Sequence, residues 1–299
     1  MKLQTIVDIK PSEWKIGYED RILMVGSCFS DEIGGQMQQR YLNVTCNPFG
    51  TLYNPLSIAQ ALTMTQMPKL VQHEGLWHSM AHHGSFSRPT KEEADQAVRA
   101  SIEAMQKALA EATVVIVTFG TAWVYEKSGF SHQPSAVVGN CHKLPAECFT
   151  RRRLTVEEIV AAWQPILAQY PDKHWLFTVS PIRHIKDGMH ENQLSKATLL
   201  MAIEQLLNND PLIVNRQSSN CQYFPSYEIV LDELRDYRFY ADDLVHPSSL
   251  TVSYIWERFI DTFCTPQTRN ELVLQHKRWK QAHHIPLHGS NDDDKKITT

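Results

Sequence analysis

Short apolar runs alternate along this chain with longer stretches in which apolar residues recur every three or four positions. Runs of the first kind read as buried strands and stretches of the second kind as helices lying on a sheet. Residues 21–25 predict a strand ended by Gly26, and residues 30–41 a helix with Asp31 and Glu32 in its first turn. Residues 41–46 predict a second strand, stopped by Asn47-Pro48-Phe49-Gly50. Residues 55–66 predict a helix capped by Asn54 with Pro55 at its first position. A long amphipathic helix is expected over 91–111, then the clearest buried strand over 113–119. Thr155 and Glu158 stand as a capping box for a helix over 155–170. Residues 175–179 predict a further strand, closed by Ser180-Pro181, and residues 191–208 a helix. The last core strand is expected at 227–231, and two terminal helices at 248–263 and 266–283. Stretches near 68–90 and 123–150 follow neither period and read as irregular insertions.

Five strands with helices between them predict an α/β fold: a three-layer α/β/α sandwich around a mainly parallel sheet. Residues 1–287 then form a single domain, and the polar run 288–299 is expected to be a disordered tail. In such sheets ligands sit beyond the carboxyl ends of the strands. The motifs that could carry chemistry therefore matter most where they follow a strand directly.

Composition narrows the class. With 299 residues and 42% apolar content, one sizeable core is expected. A net charge of −4 gives no field favouring nucleic acid or anionic lipid. Neither a secretory h-region nor an apolar run of membrane-spanning length is found, so the expected setting is the cytoplasm, with no membrane partner. The cysteines Cys28, Cys46, Cys141, Cys148, Cys221 and Cys264 form no CxxC pair and read as free thiols. Oligomeric state is open at this stage.

Gly26-Ser27-Cys28-Phe29-Ser30 joins a strand to a helix. A nucleophile on such a turn stands clear of the sheet, and the helix N-terminus offers free N–H donors that stabilise an oxyanion or a thiolate. The competing structural reading makes Ser27 or Ser30 a cap and Cys28 a small filler. Near the other end, Asp243 and His246 stand three residues apart on a turn before a helix. A carboxylate so placed can orient the imidazole and leave its other nitrogen free as a base.

An early nucleophile turn and a late D-x-x-H resemble the first and last blocks of SGNH/GDSL hydrolases. Within that group the string GSCF looks like the signature of the GSCFA family, with Ser30 in place of the final Ala. The segments 47–55, 118–125, 140–143, 180–184 and 191–196 are also similar to that family. The resemblance implies the fold above and a site that needs no cofactor. In it Cys28, or Ser27 with a one-residue shift, attacks an ester, His246 moves the proton, and Asp243 orients His246. The implied substrate is a small or carbohydrate-linked ester, and the implied course is hydrolysis or acyl transfer through a covalent intermediate. Where such enzymes carry G-x-N-D, this chain has Gly120-Thr121-Ala122-Trp123, so the asparagine donor is missing. Candidates to replace it are the Gly50 amide, the Thr121 hydroxyl, and Asn54, Asn140 or Asn192. The alternative is a non-catalytic binding protein on the same scaffold.

Arg183 and His184, with Lys186, follow a strand end and could hold an anionic group or assist proton transfer; Arg183 could equally pair with Asp236 or Asp243. His142 lies in an irregular stretch and reads as lining a site or as solvated loop. His73, His78, His82 and His83 cluster, and on a helix His78 and His82 would share a face as zinc ligands do. The H-E-x-x-H glutamate is absent, so no metal is expected. The aromatic residues Tyr237, Phe239, Tyr240 and Trp256 read as packing around the last loop.

Overall fold

The computed structural model describes residues 4–127, 137–208 and 220–283. In chain order the elements are β1 (Arg21–Gly26), α1 (Cys28–Gln38), β2 (Asn43–Cys46), α2 (Pro55–Thr63), β3 (Leu70–His73), β4 (Leu76–Ser79), α3 (Lys91–Glu111) and β5 (Val114–Phe119). There follow β6 (Trp123–Lys127), β7 (Val137–Val138), β8 (Phe149–Arg153), α4 (Val156–Gln169), β9 (His174–Val179), α5 (Met189–Asn208) and β10 (Cys221–Phe224). A short helix α6 (Ser226–Glu228) runs on into a π-turn (Ile229–Leu234), and α7 (Ser249–Phe263) and α8 (Pro266–Ala282) close the chain. The tail expected at 288–299 lies outside the described residues. No helix among the described residues is long and apolar enough to cross a membrane.

Five parallel strands form the central sheet in the order β10-β9-β5-β1-β2. Side chains alternate across a strand, and this sheet uses both sets. Leu23 and Val25 of β1, Val115 and Val117 of β5, and Phe177 of β9 pack toward α2, α3, α4 and α5. Ile22, Met24, Val114, Ile116 and Leu176 pack on the opposite face with α1 and α7. Strands buried on both faces read as continuous apolar runs, which is why β1, β5 and β9 stand out in the sequence. The chain leaves β1 toward β2 and later returns on its other side as β5. That reversal falls between β1 and β5, and open α/β sheets bind ligands beyond the carboxyl ends of their strands at such a point.

Two sequence expectations change. Residues 227–231 are not a strand: they are helical, and the fifth strand is Cys221–Phe224 just upstream. A short apolar run suits a buried strand or a buried helix, and here Ser226, Ile229, Val230, Glu233 and Leu234 recur at helical spacing. The two insertions are also more regular than expected. Residues 70–79 form the hairpin β3–β4, turned by Glu74 and Gly75, both with positive φ (47° and 76°) as a two-residue hairpin loop requires. Strands β6, β7 and β8 make a small antiparallel sheet whose edge runs through Arg151, Arg152 and Arg153, a charged string that hides a strand from pattern reading.

Candidate active site

Gly26 ends β1 with φ of 142°, and a Cβ there would come within 2.2 Å of the Thr118 carbonyl oxygen. Only glycine lets β1 and β5 close at this point, so the following turn is set tightly against β5. Ser27 is buried, and its hydroxyl accepts the Phe29 N–H (3.3 Å) as the N-cap of α1. Ser30 is buried as well, with its hydroxyl donating to Thr118 Oγ1 (2.8 Å). Cys28 occupies the first helical position with a half-buried free thiol. Burial comes first in pushing that thiol above its usual range, and Asp31 and Glu32 add to the rise; the N–H groups of Cys28 and Phe29 pull the other way. Of the two candidate nucleophiles, one therefore serves as a buried cap and the other stands partly open on the helix end.

Asp243 and His246 meet directly. His246 Nδ1 lies 2.6 Å from Asp243 Oδ2, while Asp243 Oδ1 accepts the N–H groups of Val245 (2.9 Å) and His246 (3.0 Å). Those two amides and the ring hold the Asp243 carboxyl down at about 2. The carboxylate is thus ionised, and a proton on Nδ1 donated to it leaves Nε2 as the acceptor. Both side chains are half exposed. Among the described residues neither Cys28 nor Ser27 hydrogen-bonds to His246.

The region between these parts holds an ammonium that the sequence reading passed over. Lys196 of α5 is wholly buried, and its Nζ donates to the carbonyls of Gly120 (2.6 Å) and Ser180 (2.7 Å), directly past β5 and β9. No carboxylate pairs with it among the described residues. Burial lowers its pKa to about 7, and the charge of Cys28 raises it. His184 lies close by and is held neutral, down to about 4, first by burial and then by the charges of Lys196, His246 and Arg151. Its Nε2 is buried without a hydrogen-bond partner among the described residues. The Tyr53 ring meets His184 edge-on at 6.2 Å, and its hydroxyl is pushed up chiefly by burial, with Cys28 and Asp31 adding to the rise and Thr51 opposing it. Cys28, Tyr53, His184, Lys196 and His246 thus form one electrostatic neighbourhood at the sheet's carboxyl edge.

A pattern signal for Lys196 exists. Asn192, Ser195, Lys196, Leu199, Ala202, Ile203 and Leu206 make the buried stripe of α5. A lysine on that stripe, with no acid beside it at helical spacing, marks a buried charge. Tyr53 carries no comparable mark.

The other expected donors are engaged in holding the loops. The Gly50 N–H donates to Asn47 O (2.7 Å), in a turn with φ of 74° where a Cβ would strike His83. Asn54 caps α2, accepting the Ser57 N–H (2.8 Å) and donating to Ser57 Oγ (2.9 Å). The Gly120 and Thr121 amides both donate to Tyr53 O, and the Thr121 hydroxyl meets Ser195 Oγ (3.0 Å) and accepts the Trp123 N–H. The Asn140 side chain accepts the His142 N–H, and His142 Nε2 donates to Ser79 O (2.7 Å) within the hairpin region. Asn192 accepts the His184 N–H (3.0 Å), which fixes the loop after β9. The N–H groups of Cys28 and Phe29, at the start of α1, are the donors that act on the sulfur.

Arg183 joins that loop to the dyad rather than pairing with Asp236 or Asp243. Its N–H donates to Val245 O and its guanidinium to Leu244 O (both 3.2 Å), and it stacks over Tyr237 and Tyr240. Beside it opens a cleft of about 170 Å³ lined among others by Asn192, Tyr227, Arg235, Tyr237 and Tyr240. Lys186, next to His184, is exposed. The histidine cluster is not helical: His78 lies on β4 and bonds Ser87 Oγ and His73 O, and His82 bonds Ser79 Oγ and Ser101 Oγ (2.7 Å each). No three His, Cys, Asp or Glu side chains gather as a metal-binding group among the described residues.

A family model described as GSCFA family matches residues 21–259. No curated protein matches the chain. Among solved structures the chain is similar to a family two carbohydrate esterase from Clostridium thermocellum in complex with cellohexaose, at 12% identity and a TM-score of 0.36. That alignment covers 90% of this chain and 67% of the other.

Proposed function

The chain belongs to the GSCFA family, and from that premise we propose that it is an ester hydrolase or acyltransferase of the SGNH type, with Cys28 as nucleophile. The Cys28 sulfur attacks the ester carbonyl as His246 Nε2 takes the thiol proton, and Asp243 stabilises the imidazolium. The tetrahedral oxyanion lies against the N–H groups at the start of α1. Collapse breaks the bond to the leaving oxygen, which receives the proton from His246, and leaves a thioester on Cys28. Water or an acceptor hydroxyl then gives its proton to His246 and attacks the thioester, releasing the acyl group and restoring the thiol. No metal or organic cofactor enters these steps.

The observation that carries the reading is the Asp243–His246 pair, a half-exposed imidazole locked by a 2.6 Å bond to an ionised carboxylate. Half exposure leaves the ring within reach of a substrate, and the carboxylate holds its Nδ1 as such a base requires. The burial of Ser27 as a cap favours Cys28 over Ser27. The cleft beside Arg183, walled by Tyr237 and Tyr240, offers flat aromatic faces suited to a sugar ring, in keeping with a carbohydrate-linked ester. In the rival reading of a non-catalytic binder, that cleft is the whole function. Comparing p-nitrophenyl acetate turnover in the wild type, Cys28→Ala and Ser27→Ala separates these readings. Loss in Cys28→Ala with activity kept in Ser27→Ala is expected; equal turnover in Cys28→Ala would remove the thiol from the mechanism.

A further inference from the structure

We infer that the cleft beside Arg183 selects an anionic substrate: two guanidiniums left without a carboxylate, those of Arg183 and Arg235, take a carboxylate or phosphate borne by the sugar whose ester is cleaved. The inference deepens the reading of that cleft as the substrate's place and rests on it.

Many arginines of this chain are paired. Arg151 meets Asp187, Arg152 meets Glu126 and Glu158, Arg258 meets Glu233, and Arg269 meets Asp261. Arg183 and Arg235 line one cleft of about 170 Å³, and neither makes an ion pair among the described residues. Arg183 is nevertheless held in place. Its guanidinium donates to Leu244 O (3.2 Å), contacts the Met189 sulfur (3.8 Å) and lies over the Tyr237 and Tyr240 rings at 5.5 and 5.1 Å. A carbonyl, a thioether and two aromatic rings orient a cation without neutralising it. Arg235 ends the π-turn and is exposed.

The other polar groups of the cleft also present donors. Asn192 Oδ1 accepts the His184 N–H (3.0 Å), and Gln193 Oε1 accepts the Tyr227 hydroxyl (2.8 Å). Both amide oxygens are thus engaged by the protein, and their NH₂ groups have no acceptor among the described residues. One carboxylate lines the cleft. Asp236 accepts the Arg238 N–H (2.9 Å) and pairs with the Arg238 guanidinium (3.2 Å), so its charge is met by a third arginine. Two unmatched cations and two free amide donors are complementary to an acceptor-rich anion, and guanidinium forks suit the oxygens of a carboxylate or phosphate. Drug-sized ligands fill about 300–1,000 Å³, so the cleft takes a single sugar residue rather than a long chain.

Its position suits selection. Arg183 follows β9, and its backbone and side chain bond the carbonyls of Val245 and Leu244, directly before His246. An anion gripped there is anchored beside the loop that carries the base.

The test measures binding on the full chain carrying Cys28→Ala, so that ester chemistry does not contribute. Methyl β-D-glucuronide and methyl β-D-glucoside differ only in a carboxylate against a hydroxymethyl group, and glucose 6-phosphate supplies the phosphate. In ligand-observed NMR titrations the glucuronide or the phosphate should bind at least about tenfold tighter than the glucoside, the worth of one charge-assisted hydrogen bond. Whichever binds tighter identifies the anion. Arg235→Gln, a change at an exposed position, should remove most of that preference, and Arg235→Lys should keep part of it. Arg183→Gln should remove it too. Equal binding of the three ligands, or binding of none, overturns the inference, as does a preference that survives both glutamine variants. Anion preference in a protein whose wild type turns over no ester would reject the hydrolase reading alone. Ester turnover by the wild type without anion preference would reject this inference alone.

Discussion

Two groups of buried ionisable side chains sit on this scaffold and follow opposite rules. Around the β3–β4 hairpin, His82 has a serine hydroxyl on each ring nitrogen and stacks on Phe49 at 4.0 Å, and both ring nitrogens of His78 are bonded. At the carboxyl edge of the sheet, Lys196 has only carbonyl partners and His184 keeps a buried Nε2 unpaired among the described residues. His246 there is half exposed, with Nδ1 on the Asp243 carboxylate. A polar group whose bonds are all made stabilises architecture; one left with a free proton or lone pair beside a crevice is available for chemistry. Histidine count alone points at the hairpin. Unpaired buried atoms also occur at Trp14 and His174 away from that edge, so it is the half-exposed Asp243–His246 pair that singles the edge out.

The largest expected effect of that contrast is in His246→Ala. Turnover of an activated ester should fall by about 10³-fold or more. The thermal midpoint should barely move, because the ring is half exposed. A stability loss matching the activity loss would move His246 to the architectural side. His82→Ala should do the reverse. Removing the ring strands the Ser79 and Ser101 hydroxyls and opens a cavity against Phe49, at a cost of about 2–4 kcal/mol by urea unfolding. Turnover per folded molecule should stay unchanged.

The sequence made the fold largely legible because β1, β5 and β9 are buried on both faces and read as unbroken apolar runs. Caps at Asn54, Thr155 and Ser248 mark helix starts in the same plain way. The strand expected at 227–231 is a helix because a short apolar run carries no decisive period. In the site, Asp243 and His246 are legible because three residues of turn bring them together locally. The engagement of Thr121 with Tyr53 and Ser195, and of His142 with Ser79, was hidden, since those partners are distant in the sequence and only folding brings them near. Lys196 was within reach of the pattern, as the lone cation on an apolar stripe.

A smaller effect should follow Asp243→Asn. The carboxylate is held ionised down to about pH 2, so it sets the imidazole tautomer across the working range and adds no limb to the pH profile above about pH 3. Turnover should drop by about 10⁴-fold at most, and by less than in His246→Ala, with little change in that profile.

The smallest expected effect separates the two regions by acid titration. His82 and His184 are both held near 4 by burial, against about 6.5 when unfolded. Between about pH 6.5 and about pH 4 the unfolded chain binds more protons, so stability falls as pH falls through that window. Urea midpoints should decline over it, and His82→Gln should flatten the slope by removing one contribution of several, since His142, His174 and His276 are lowered as well. An unchanged slope in that variant would mean that His82 protonates as easily folded as unfolded.

The most direct measurement is to trap the acyl group. Brief reaction with an activated ester, acid quenching and peptide mass spectrometry should find one acyl adduct, on the peptide bearing Cys28, building up in the first turnover of the wild type and forming far more slowly in His246→Ala, which lacks the base that activates the thiol. Steady turnover with no adduct on Cys28, or an adduct on Ser27 instead, would contradict the assignment of the thiol at the end of β1 as the attacking group.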